Sequence, residues 1–70
     1  MERIHVSSSN LSAVGYDPTT ETLEVEFLDG SIFEYRNVPQ FAYDQFMSAS
    51  SAGSYFNREI RNFYPYEKIG

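Results

Sequence analysis

The sequence predicts one α+β domain spanning residues 1–70, a three-stranded antiparallel meander packed against two C-terminal helices. Three observations carry this expectation. Leu23-Glu24-Val25-Glu26-Phe27 alternates apolar and acidic residues at period two, as a strand with one buried face requires. Asp29-Gly30 follows at once and marks a hairpin. Beyond Pro39 the apolar residues recur at helical spacing instead.

Taken in order, Ser7-Ser8-Ser9-Asn10 is small, polar and able to bond neighbouring backbone, so it suits a cap or turn leading into the first strand. A phosphate contact is the other use of such hydroxyls, but no glycine-rich loop or P-loop lysine accompanies them. The first strand runs from Leu11 to Tyr16. It ends at Asp17-Pro18-Thr19-Thr20, where Pro18 fixes φ and Asp17 can bond the backbone ahead of it.

The second strand begins near Thr22, and the turn after it decides what the third strand faces. A type I turn at Leu28-Asp29, with Gly30 in the left-handed bulge position, sets Val25 opposite Phe33 and Leu23 opposite Tyr35. A two-residue turn at Asp29-Gly30 would shift the register by one and place Phe33 and Tyr35 beside Glu24 and Glu26. The bulged turn is preferred, because all five apolar side chains then share one face. It leaves Ile32 on the other face with Glu24, Glu26 and Glu34, which asks for a cover or a partner there.

Pro39 suits the first turn of a helix running to about Ala49, with Ala42, Tyr43, Phe46, Met47 and Ala49 on its packed side. Ser50-Ser51-Ala52-Gly53 breaks it. Ser54 is the expected N-cap of a second helix from Tyr55 to about Phe63, halted by Pro65. On that helix Phe56, Ile60 and Phe63 form an apolar stripe. The predicted core is Leu23, Val25, Phe27, Phe33, Tyr35, Phe46, Phe56, Ile60 and Phe63.

Composition narrows the function. A domain of this size buries only about 60% of its unfolded surface, so stability rests on a compact aromatic core or on a partner chain. Without cysteine there is no disulfide, thiol nucleophile or zinc-thiolate site. The absence of an apolar leader or membrane-length run makes a cytoplasmic location the expectation, with no membrane partner. The net charge of −5 is unevenly spread. Residues 17–34 hold Asp17, Glu21, Glu24, Glu26, Asp29 and Glu34 and no basic residue, whereas residues 54–70 hold Arg58, Arg61 and Lys68 against Glu59 and Glu67. A polyanion would therefore be met by the second half.

That half contains the densest motif, Gly53 to Tyr66, with five aromatics and two arginines in fourteen residues. Once the stripe is buried, Asn57, Arg58, Arg61 and Asn62 occupy the opposite arc. These arginines suit phosphate, and Tyr55, Tyr64 or Tyr66 suits stacking on an unpaired base. The bland alternative is a solvated helix face. Glu24, Glu26 and Glu34 read as an acidic solvated face, and His5 as an unaccompanied edge histidine. No pattern specifies a catalytic group, a metal or a cofactor.

Val6-Ser7-Ser8-Ser9-Asn10-Leu11, Val14-Gly15-Tyr16-Asp17, Asp29-Gly30, Phe33-Glu34-Tyr35, Val38-Pro39 and Gly53-Ser54-Tyr55-Phe56-Asn57, with Ile60 and Tyr64-Pro65, together resemble the KTSC domain. The match spans nearly the whole chain. It implies a small free-standing bacterial or phage-borne module that also occurs as a C-terminal appendage of some lysyl-tRNA synthetases. That association suggests RNA or another nucleic acid as partner. The family's central aromatic-x-aromatic motif, usually Tyr-x-Tyr, is here Phe33-Glu34-Tyr35, one hydroxyl fewer. Two functions follow as expectations for a non-enzyme. One is a module binding RNA or single-stranded nucleic acid through Asn57, Arg58, Arg61, Tyr55, Tyr64 and Tyr66. The other is a protein-interaction module or homodimer using Ile32 on the sheet face, or a sheet edge.

Overall fold

The computed structural model describes residues 2–70 and contains a five-stranded antiparallel sheet, two strands more than expected. Strands β1 (Arg3–His5), β2 (Leu11–Asp17), β3 (Thr22–Phe27), β4 (Ile32–Tyr35) and β5 (Tyr66–Lys68) lie side by side in chain order. The unexpected pair, β1 and β5, are three-residue edge strands exposed along their length. Too short to show alternation, they are placed by hydrogen bonding to β2 and β4 rather than by an apolar pattern.

The turns behave as their residues dictate. Asp17 Oδ1 accepts the Thr19 N–H at 2.9 Å. After β3, the Gly30 N–H donates to the Phe27 carbonyl at 2.9 Å, and Gly30 takes φ +91, open to glycine without strain. Phe27 in turn donates to the Ser31 carbonyl at 2.9 Å. This is the bulged hairpin, so Leu23 pairs with Tyr35 and Val25 with Phe33. The other face sets Glu24 opposite Glu34 and Glu26 opposite Ile32. There Arg3 bridges Glu24 and Glu26, and Arg36 bridges Glu34 and Glu67. Such part-exposed pairs contribute about 0–1 kcal/mol each. Their main effect is to commit two arginines to this face.

Helix α1 covers Gln40–Ser48 and turns Ala42 and Phe46 inward. Pro39 stands just outside it at φ −71 and ψ 159, in extended backbone rather than the first turn. Tyr43 stacks on Tyr16 with centroids 4.6 Å apart, and the Tyr16 hydroxyl donates to the Val38 carbonyl. Helix α2 is the single turn Ala52–Tyr55, capped by Ser51, whose Oγ accepts the Ser54 N–H at 3.3 Å. Ser54, the expected cap, therefore sits inside the helix. The chain continues as a π turn, Phe56–Ile60, with the Arg61 N–H bonding back to the Phe56 carbonyl at 2.9 Å.

The wide turn ends the helix near Ile60, and Phe63 falls outside it, 69% exposed. Its place in the predicted core is corrected accordingly: the stripe Phe56, Ile60, Phe63 assumed regular α-helix through residue 63. The core joins the inner sheet residues Leu11, Val14, Leu23, Val25 and Tyr35 to Val38, Ala42, Phe46, Phe56 and Ile60. Phe27 and Phe33, also expected inside, are only partly buried.

Burial raises the hydroxyl pKa of Tyr16, Tyr35, Tyr43 and Tyr55 above the ordinary value near 10. The folded state thus favours neutral phenols. Stability is held below about pH 10 and falls as pH rises through the higher folded-state values. Melting curves at rising alkaline pH should show this decline, and a melting temperature unchanged well above pH 10 would contradict it.

Candidate functional site

The helices leave part of the inner sheet face bare beside β4 and β5, and a cleft of about 510 Å³ opens there. Aromatic rings make its floor. Phe27 meets Phe33 edge-on at 5.6 Å, and the Tyr66 ring lies 5.9 Å from Phe33 and 5.6 Å from Tyr35. This explains why Phe27 and Phe33 are not sealed. The face has more apolar surface than two short helices can cover, and the remainder becomes a site. Asn10, Asp29 and Ser31 line it on the hairpin side, and Arg61 and Asn62 on the side of the π turn.

Arg61 is carried to the cleft by the wide turn. Its charge opposes, without overcoming, the upward effect of burial on the Tyr35 hydroxyl. Among the described residues Arg61 has no carboxylate partner within ion-pair distance, whereas Arg3 and Arg36 are tied to glutamates on the outer face. Lys68 is paired with Phe33 across β4 and β5, which puts it on the cleft side of the sheet. The Ser31 hydroxyl and N–H hold Asp29 below the usual carboxylate range, with Lys68 adding to the effect.

Of the six residues expected to bind nucleic acid, the structure brings Arg61 and Tyr66 into the cleft and leaves the others elsewhere. Arg58 and Asn57 are exposed on the helical segment, where Arg58 Nε donates to the Ser54 carbonyl at 3.3 Å. Tyr55 is turned toward α1, donating to Gln45 Oε1 at 3.0 Å and stacking on Phe46. Tyr64 packs on the core. Ile32, the candidate interface residue, is half-buried, and its backbone bonds to Ile69 and Gly70. Sequence reasoning missed Asn10 as a lining residue and took Phe27, Phe33 and Tyr35 for core alone. The available signal was an aromatic surplus: five inward strand residues facing two short helices.

Fold and cleft define a small two-layer class of domain, an antiparallel meander that presents its aromatic-x-aromatic motif to an open groove. The chain belongs to the KTSC domain family, whose model matches residues 7–64. A crystal structure of a KTSC domain protein from Yersinia pestis superposes with TM-score 0.95 at 39% identity, covering 99% of this chain and 97% of that one. An uncharacterised protein of Stutzerimonas stutzeri (strain A1501) is 37% identical over 70 residues, 99% of each chain. A lysine-tRNA ligase of Nostoc sp. is 41% identical over 61 residues, 87% of this chain but 11% of the ligase. The domain thus occurs both in small proteins and as a minor part of a far larger enzyme. Among the described residues no helix is long and apolar enough to cross a membrane.

Proposed function

We propose that the protein is a non-catalytic binding module whose cleft receives an unpaired nucleotide of RNA. The observation that carries this reading is Arg61, a cation with no carboxylate partner among the described residues, set beside an aromatic-floored cleft of nucleotide-accommodating size, about 510 Å³. Tyr66 and Phe33 offer ring faces for a base, and Arg61 with Lys68 offers charge for its phosphate. The resemblance to part of a lysine-tRNA ligase supports RNA as the nucleic acid. A net charge of −5 argues against long backbone tracking and limits the footprint to one or two phosphates.

Titration of a short single-stranded RNA into isotopically labelled protein should shift the amides of residues 31–35 and 61–68. Affinity should fall with salt at a slope of about −0.7 per phosphate contacted. Arg61→Ala should weaken binding about tenfold, as expected when one charge-assisted hydrogen bond is lost, while Arg58→Ala should change it little. Absence of any shift at low salt would remove the reading.

A second reading is a homodimer or protein contact through the outer sheet face. It is favoured by Ile69, 48% exposed and bonded beside Ile32 on an otherwise charged surface. In that case RNA leaves the spectrum unchanged, and light scattering reports a dimer that Ile32→Glu dissolves.

A further inference from the structure

Ser8 fixes which way the Asn10 amide points. Ser8 Oγ accepts the backbone N–H groups of Asn10 and Leu11, both at 3.2 Å, and so fills its two lone pairs. Its one proton remains, and it is donated to Asn10 Oδ1 at 2.9 Å. The atom facing Ser8 must be the carbonyl oxygen, because an NH2 group there would meet a hydroxyl with no acceptor capacity left.

Gly53 supplies the room for this arrangement: a Cβ at that position would lie 2.6 Å from Asn10 Oδ1 and 2.8 Å from Ser8 Oγ. The Asn10 main chain is anchored as well, its carbonyl accepting the Leu28 N–H at 3.0 Å. Nδ2 is left on the far side of the amide from Ser8, in a residue that lines the cleft. Asp29 follows Leu28 and lines the same cleft. Its Oδ1 is taken by the Ser31 N–H at 2.9 Å and the Ser31 hydroxyl at 2.7 Å, which leaves Oδ2 to accept.

We propose that Asn10 and Asp29 act as a donor–acceptor pair that selects bases presenting a carbonyl oxygen beside a ring N–H, guanine and uracil over adenine and cytosine. Asn10 Nδ2 donates to the carbonyl, and Asp29 Oδ2 accepts from the ring nitrogen. With the phosphate held at Arg61 on the other side of the cleft, the base enters in one orientation, and in it adenine and cytosine present an amino group to the amide donor and a bare ring nitrogen to the carboxylate, so both protein groups go unpaired. The inference rests on the cleft's being a nucleotide site and names what that site reads.

The test is an NMR titration of the four 5′-mononucleotides into wild type, Asn10→Asp and Asp29→Asn. Asn10→Asp keeps the oxygen that Ser8 needs and replaces the outward NH2 with an acceptor of the same size. Asp29→Asn, at an exposed turn, keeps Oδ1 for Ser31 and turns the second position into a donor. Wild type should bind GMP and UMP about tenfold more tightly than AMP and CMP, the discrimination of one good base contact. Either variant should bring that ratio close to one. The ratio is the readout, since a change of charge alone moves all four affinities together. Equal affinities in wild type, or a ratio untouched in both variants, overturns the inference and leaves the nucleotide site standing. Failure of all four to bind overturns both.

Discussion

Phe56→Ala is expected to destabilise the domain by about 3–5 kcal/mol, and Phe63→Ala by less than about 0.5 kcal/mol. In sequence the two look equivalent, members of one helical stripe. In the structure Phe56 is 1% exposed and packs against Phe27, Tyr35 and Phe46 at centroid distances of 5.6, 5.4 and 6.3 Å, whereas Phe63 is 69% exposed. Truncating Phe56 removes the ring on which three others converge, and in so small a core the neighbours have little freedom to collapse into the gap. Urea denaturation of the two variants measures the contrast. Similar losses would mean that the helix runs on through Phe63 and that the π turn does not end it.

Gly53→Ala is expected to destabilise by about 1–3 kcal/mol, the range for overpacking a closed site. The sign is informative, because alanine in place of glycine within a helix ordinarily gains up to about 1 kcal/mol. Here the new methyl would meet Asn10 Oδ1 and Ser8 Oγ at distances real side chains do not tolerate. Neither oxygen can step aside cheaply: Ser8 Oγ holds two backbone N–H groups at the entrance to β2, and Asn10 Oδ1 takes its proton. Thermal melts decide it, and a variant as stable as wild type would show that the Ser8–Asn10 unit is pliable.

The parts of the fold legible in sequence are those with a repeating physical cause. Alternation in Leu23 to Phe27 placed β3, and the glycine at position 30 selected the bulged turn and with it the whole β3–β4 register. The family could be named from the same turn and packing residues. What escaped has a common reason. Strands β1 and β5 are too short for periodicity, and the π turn is a departure from the 100° step that the helical reading assumes.

The candidate site was harder to see because its parts are non-local. Arg61 and Tyr66 could be singled out as charge and ring, but the cleft exists only because β5 is laid against β4, bringing Tyr66 opposite Tyr35. Asn10 reads as a turn residue until the lone pairs of Ser8 are counted. The expected arc of Asn57, Arg58, Arg61 and Asn62 is split, with only Arg61 and Asn62 at the cleft, for the reason that misplaced Phe63. A helix interrupted at residue 60 does not present one continuous face.

Strand β5 gives the cleft a movable wall. Three exposed residues zipped to a single neighbour form the portion of a sheet that opens at the least cost, well below the free energy of unfolding the core. A nucleotide bound as proposed would meet an equilibrium between a complete groove, with Tyr66 in place, and an incomplete one. Observed affinity is then the intrinsic affinity scaled by the fraction of molecules with the strand closed. Recognition strength is thus adjustable from the edge of the sheet, by tightening or loosening a few backbone hydrogen bonds, without altering any group that touches the ligand.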